Sequence, residues 1–187
     1  MSSCRTLVIA HGKSELIFCR TIASNNRINI EYDSENNGEN CIQIKTLEKR
    51  LSSGHYSSEI KLHKKFDKLE YFNGKIPNLR IFPIMDTDDS PHDAKRYMTN
   101  NMFNSSVFKD RIIPIFNTPN LDEVLLTSGL EVDVRNKAES YQQIASDFEL
   151  SEIISKIERS GNLENTNILK FLRHCASMSP DYQNRHI

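Results

Sequence analysis

Two short apolar runs that end abruptly in polar loops constrain this chain more than any other feature. Thr6-Leu7-Val8-Ile9-Ala10 stops at His11-Gly12-Lys13-Ser14-Glu15, and Leu79-Arg80-Ile81-Phe82-Pro83-Ile84-Met85 runs straight into Asp86-Thr87-Asp88-Asp89. Runs of this kind suit strands covered on both faces. A helical pattern follows each loop. Ser14 is the expected cap of the first helix, with Leu16, Ile17, Cys19 and Ile22 along one side, and Ser90-Pro91 opens the second, which extends to about Met102. Further strands are expected over residues 28–32 and 111–116, the latter at an edge, a bulge or a strand start because of Pro114. Helices are expected over 42–51, 57–72, 121–126, 136–148, 151–160 and 165–177, and residues 180–187 are expected to fray. Alternating strand and helix signals predict an α/β fold, a mainly parallel Rossmann-like sheet flanked by helices. Residues 1–130 would form the α/β core and 131–187 a helical C-terminal extension packed on it.

Composition narrows the function. The chain has 187 residues, 37% of them hydrophobic, with 24 Lys+Arg against 25 Asp+Glu. It can bury a core, and it is not a generally basic nucleic-acid-coating protein. No apolar run approaches a membrane span, and the short run after the N-terminus does not make a secretory signal, so a cytoplasmic protein with no membrane role is expected. Cys4, Cys19, Cys41 and Cys175 are scattered without CxxC spacing, which argues against a zinc site or a dense disulfide framework.

The polar loops carry the chemistry. In open α/β sheets ligands gather beyond the carboxyl ends of the strands. If their strands are neighbours, the loops at 11–15 and 86–89 face each other. Extended backbone would place Asp86 and Asp88 on one side, and hard Mg²⁺ takes carboxylate oxygens and retained waters. With a carboxylate from the first loop they would hold an ion able to polarise a phosphodiester and activate water. The plainer alternative is an Asx-turn opening a helix. Gly12-Lys13-Ser14 at a helix start offers N–H groups to an anion, yet it is not a Walker A loop, because Leu7 stands where the first glycine belongs. Lys13 and Lys95 read either as phosphate contacts or as solvated lysines.

Strand-HGKSE-helix followed by strand-DTDD resembles the Toprim domain, the topoisomerase–primase fold shared with several nucleases, and within it the OLD-type and RloB-like members. Gly12, Ser14 and Glu15 match the Glu-Gly-x-Ser-Glu form, and Asp86 and Asp88 match the family's D-x-D. The stretch from Ile115 through Asn117, Pro119 and Asp122 to Glu123 is similar to a later RloB-like segment. The resemblance spans roughly residues 5–130. It implies a Toprim-like fold and a nuclease using Mg²⁺ or Mn²⁺ to cleave DNA or RNA, in phage or mobile-element defence or counter-defence. Asp86, Asp88 and Glu15 would be the metal ligands. His11 departs from the pattern, standing where the family has its first glutamate. Histidine can bind a metal or shuttle a proton, and favours Mn²⁺ or softer ions over Mg²⁺. An active variant, a metal-shifted variant and a catalytically silent module binding nucleic acid or protein all remain open.

Charge is uneven. Residues 45–80 hold nine Lys/Arg against four acids, with Lys61, Lys64, Lys65 and Lys68 at helical spacing. That face reads as a phosphate-binding surface or a solvated helix side. Residues 119–164 hold ten acids against four Lys/Arg, suiting a protein partner rather than DNA, while Ile144, Phe148, Ile153, Ile154 and Ile157 read as core. Should the basic face lie away from the acidic loops, phosphoryl transfer on a small molecule gains weight.

Overall fold

A computed structural model describes residues 4–88, 90–133 and 135–180. Four strands, β1 (Thr6–Ala10), β2 (Glu31–Asp33), β3 (Arg80–Asp86) and β4 (Ile115–Asn117), form one all-parallel sheet in the order β2-β1-β3-β4. Leu7 pairs with Glu31 on one side and with Ile81 on the other, and Ile84 pairs with Ile115. The chain leaves β1 toward β2, then returns past β1 to β3. The strand order therefore reverses between β1 and β3, the place where open α/β sheets leave a crevice at their carboxyl edge.

Both faces are covered, which explains the uninterrupted apolar strands. Val8, Phe82, Ile84 and Ile115 point into a core shared with α1 (Lys13–Asn25), α5 (Leu121–Thr127), α6 (Lys137–Asp147), α7 (Leu150–Arg159) and α8 (Leu169–Met178). Leu7, Ile9, Ile81 and Met85 point the other way, toward α2 (Ile44–Leu51), α3 (Glu59–Lys65) and α4 (Pro91–Met98). Helices α6 to α8 thus cover a sheet face. Ile144, Ile153, Ile154 and Ile157 are buried there, and the Phe82 and Phe171 rings meet edge to face with centroids 5.5 Å apart. Among the described residues no helix is long and apolar enough to cross a membrane.

Several boundaries differ from the periodicity for identifiable reasons. The helix expected over 57–72 ends at Lys65, because the chain turns so that Leu69 can bridge to Cys4 and the Glu70 N–H can donate to the Cys4 carbonyl at 2.8 Å. Phe72, one member of its supposed apolar stripe, is 67% exposed. The second strand starts at Glu31 rather than at 28, since Ile28 closes the C-terminal turn of α1 by donating to Ala23. Ser14 is not the cap of α1. Gly12 holds that position in extended backbone, and a Cβ there would meet only ordinary contacts, so no glycine-specific turn is needed. Pro114 precedes a three-residue edge strand, as its missing N–H requires. Asp89 and residues 181–187 lie outside the described residues.

Candidate functional site

The crevice between β1 and β3 collects the acidic groups. Ala10 pairs with Ile84 and the His11 N–H donates to the Ile84 carbonyl at 3.0 Å, so the start of α1 stands level with Asp86. Glu15 lies one turn into α1 and is 2% exposed. Its Oε2 accepts the Gly12 N–H at 2.8 Å, which aims the carboxylate back over the helix start. Asp86 ends β3, half-buried, and its Oδ1 accepts the Leu121 N–H at 3.1 Å. Thr87 leaves the strand, its N–H shared between the Asn117 and Pro119 carbonyls. Asp88 therefore sits exposed at the rim instead of continuing the strand's alternation beside Asp86.

Electrostatics bind these groups into one site. Burial pushes the Asp86 carboxyl up to about 8, and the neighbouring Glu15 and Asp88 charges add to that rise. Burial likewise raises Glu15, helped by the Asp122 charge and opposed by backbone N–H groups and by His11. Desolvated carboxylates within electrostatic reach of one another favour the protonated form or a nearby cation. Asn117, fully buried opposite Asp86 on β4, accepts the Thr166 hydroxyl at its Oδ1 at 2.9 Å. Its Nδ2 is directed at Asp86 and, as a hydrogen-bond donor, opposes the rise of that carboxyl, though not with the geometry of a standard hydrogen bond.

Lys137 and Tyr141 complete the wall, one turn apart at the start of α6, both bonded to Asp122 on α5. The Lys137 ammonium also feels the Glu15 and Asp86 charges. Neither residue was singled out by sequence patterns. The available signal was their i, i+4 spacing at a helix start, which puts both on one face.

His11 is fixed by its surroundings. Its Nδ1 lies 3.1 Å from the Ile42 carbonyl, which can only accept, so Nδ1 carries the proton. The Ile42 N–H donates back to the His11 carbonyl at 2.7 Å, closing the loop before α2 over the start of α1. Gly38 makes that closure possible. It has φ +86°, and a Cβ there would lie 2.8 Å from Lys13 Cα, a backbone atom that cannot yield. Gly38→Ala is expected to cost about 1–3 kcal/mol. It should also speed hydrogen exchange at the Ile42 amide, and an unchanged melting temperature would contradict this role for Gly38.

The expected phosphate contacts are spread more widely. The N–H groups of Gly12 and Glu15 serve the Glu15 carboxylate, and Lys13 pairs with Glu39 at 2.9 Å. Lys95 is exposed on α4, which begins just beyond the acidic rim. Lys61, Lys64 and Lys65 line a shallow depression of about 470 Å³ with Gly54 and His55. The start of α3 and the turn after it are held by contacts to other segments. Glu59 accepts the Ile76 N–H and pairs with Arg111, while the Lys68 N–H donates to Glu31. The lysine depression thus flanks the outer strand β2, whose last residue Asp33 lies 3.8 Å from His55, and its lining includes none of the residues of the acidic loops. Three of the ten acids of residues 119–164 are engaged internally: Asp122 with Lys137, Glu158 with Arg173, and Glu152 in capping α7.

The donors suit a hard divalent cation. Among the described residues no three His, Cys, Asp or Glu side chains are gathered into a ready-made metal cage. Mg²⁺ is commonly held by one or two carboxylates, with waters and substrate phosphates completing its shell. The facing pair Glu15 and Asp86, with Asp88 at the rim, fits that pattern. No protein family, curated protein or solved structure was found to match this chain.

Proposed function

We propose that this protein is a Toprim-like, divalent-metal-dependent phosphodiesterase that cleaves DNA or RNA at the crevice between β1 and β3. The observation that carries this reading is the convergence of Glu15 and Asp86, from separate loops, on one desolvated corner, where burial raises both carboxyls and the Glu15 charge adds to the rise of Asp86. Asp86 and Glu15 would hold Mg²⁺ or Mn²⁺ with Asp88 as an outer ligand, and the ion would supply Lewis-acid polarisation and an activated water. His11, with Nδ1 held by the Ile42 carbonyl, would act at this corner as a metal ligand or as the general base. Lys137 offers positive charge to a phosphate at the same corner, and Tyr141 and Asp122 hold it in place.

Cleavage of plasmid and single-stranded DNA and RNA should require Mg²⁺ or Mn²⁺ and fall about 10²-fold or more in Asp86→Asn and in Glu15→Gln. Cleavage that survives Asp86→Asn rejects the assignment. A second reading, phosphoryl transfer on a small molecule, is favoured by the separation of the α3 lysines from the acidic loops, since their depression is lined by none of the loop residues. It predicts metal-dependent turnover of nucleoside phosphates with no loss of nucleic acid. A silent binding module is the outcome if neither substrate turns over and His11→Glu alone restores activity.

A further inference from the structure

A second cavity, of about 540 Å³, lies at the amino edge of the sheet beside β2, remote from the acidic corner. Cys4, just before β1, and Lys68, beside the start of β2, fix that position. Its lining combines Ala23, Ile28, Ile30 and Tyr32 with two cations, Arg20 and Lys68. The volume and the mostly apolar lining match small-molecule sites.

The cations are what make the cavity selective. The Arg20 guanidinium stands 5.5 Å from the centre of the Tyr32 ring and is held there by cation–π attraction, not by a carboxylate. Among the described residues neither Arg20 nor Lys68 forms an ion pair, whereas Arg5, Arg50, Arg96, Arg111 and Arg173 all do. The Lys68 ammonium acts on the Cys4 thiol, which burial keeps neutral. Burial also keeps the Tyr32 phenol neutral. Glu31 is the acidic group that acts on Cys4 among the described residues, and it accepts the Lys68 backbone N–H at 3.3 Å. The rim is thus left with a positive excess above an apolar floor.

We propose that this cavity binds a small organic anion, its apolar body against Ile28, Ile30 and Tyr32 and its carboxylate or phosphate between Arg20 and Lys68. A nucleic-acid backbone fits less well, since a polyanion needs an extended basic track, and here two cations flank a compact, half-open concavity.

The test is fluorescence titration of the full chain with 8-anilinonaphthalene-1-sulfonate, an anion on an aromatic body. Saturable binding of one probe per chain is expected, weakened at least about tenfold in the double variant Arg20→Ala/Lys68→Ala, whose changes are on exposed side chains. Ala23→Phe, which fills the cavity, should abolish it, with the melting temperature confirming that this variant folds. Binding should persist in Asp86→Asn, so its fate is separate from that of the phosphodiesterase reading. Displacement by decanoate or by phenyl phosphate tells a carboxylate ligand from a phosphate one. Non-saturable binding, binding indifferent to the double variant, or stronger displacement by a single-stranded oligonucleotide than by either small anion overturns the proposal.

Discussion

Asp33→Ala is expected to destabilise the protein by about 3–5 kcal/mol, the usual cost of breaking a buried ion pair from one side. Asp33 ends β2 with its side chain 6% exposed and receives both arms of Arg50, Nε at 2.9 Å and Nη2 at 2.8 Å. The fully buried Tyr56 hydroxyl donates to it at 2.8 Å, and His55 Nε2 stands 3.8 Å away. Alanine would leave a guanidinium and a buried phenol without their acceptor. Burial by itself would raise the Asp33 carboxyl, but His55, Arg50 and Tyr56 more than offset it and hold the group well below the usual carboxylate range. A depressed folded-state pKa contributes stability that is complete above about pH 4, the unfolded value, and is lost as pH falls below it. Thermal unfolding should show wild type well above Asp33→Ala at pH 7, with the gap narrowing below pH 4. A melting temperature lowered by less than about 3 °C at pH 7 would mean that the network contributes little.

Asp86→Asn should do the reverse, abolishing the proposed activity while stabilising the fold. The Asp86 carboxyl is raised to about 8 in the folded protein, first by burial and then by Glu15. A raised folded-state pKa means that its stabilising contribution is complete below about pH 4 and is lost as pH climbs through 8. Asparagine keeps an acceptor for the Leu121 N–H and removes the charge. The variant should match wild type near pH 4 and exceed it by about 2 kcal/mol or more near pH 8, roughly 4–8 °C in melting temperature for a chain of this size. A functional site that stores like-charge repulsion behaves this way. Divalent cation should erase the difference by stabilising wild type alone. A variant less stable than wild type at pH 8 would show that Asp86 is held for structure and not for a ligand.

Legibility followed the range of the interactions. The strand–loop–helix openings at 6–25 and 80–98 are local patterns, and the polar groups at their junctions were readable because strand ends deliver loops to one edge. The expected helix over 57–72 failed at Lys65 because a long-range bridge between Leu69 and Cys4 outweighed local propensity. The Lys61, Lys64 and Lys65 face was visible as a charge pattern, but spacing along a helix carries no information about which edge of a sheet the helix crosses. The amides of Gly12 and Glu15 invited an anion, and the chain itself supplied one in Glu15.

By itself the sequence determined a two-faced parallel α/β core and the two acidic junctions, since burial on both faces and abrupt polarity are written in consecutive residues. Tertiary structure alone decided that Glu15 meets Asp86, that Asp88 stays at the rim, and that Lys137 and Tyr141 from α6 close the corner. It also set Gly38 against Lys13 and placed Arg20 and Lys68, neither in an ion pair among the described residues, over an apolar cavity. The reason is physical. Hydrophobic periodicity is a property of neighbours in the chain, whereas the electrostatics of a site depend on strand order and on which distant segments exclude water together.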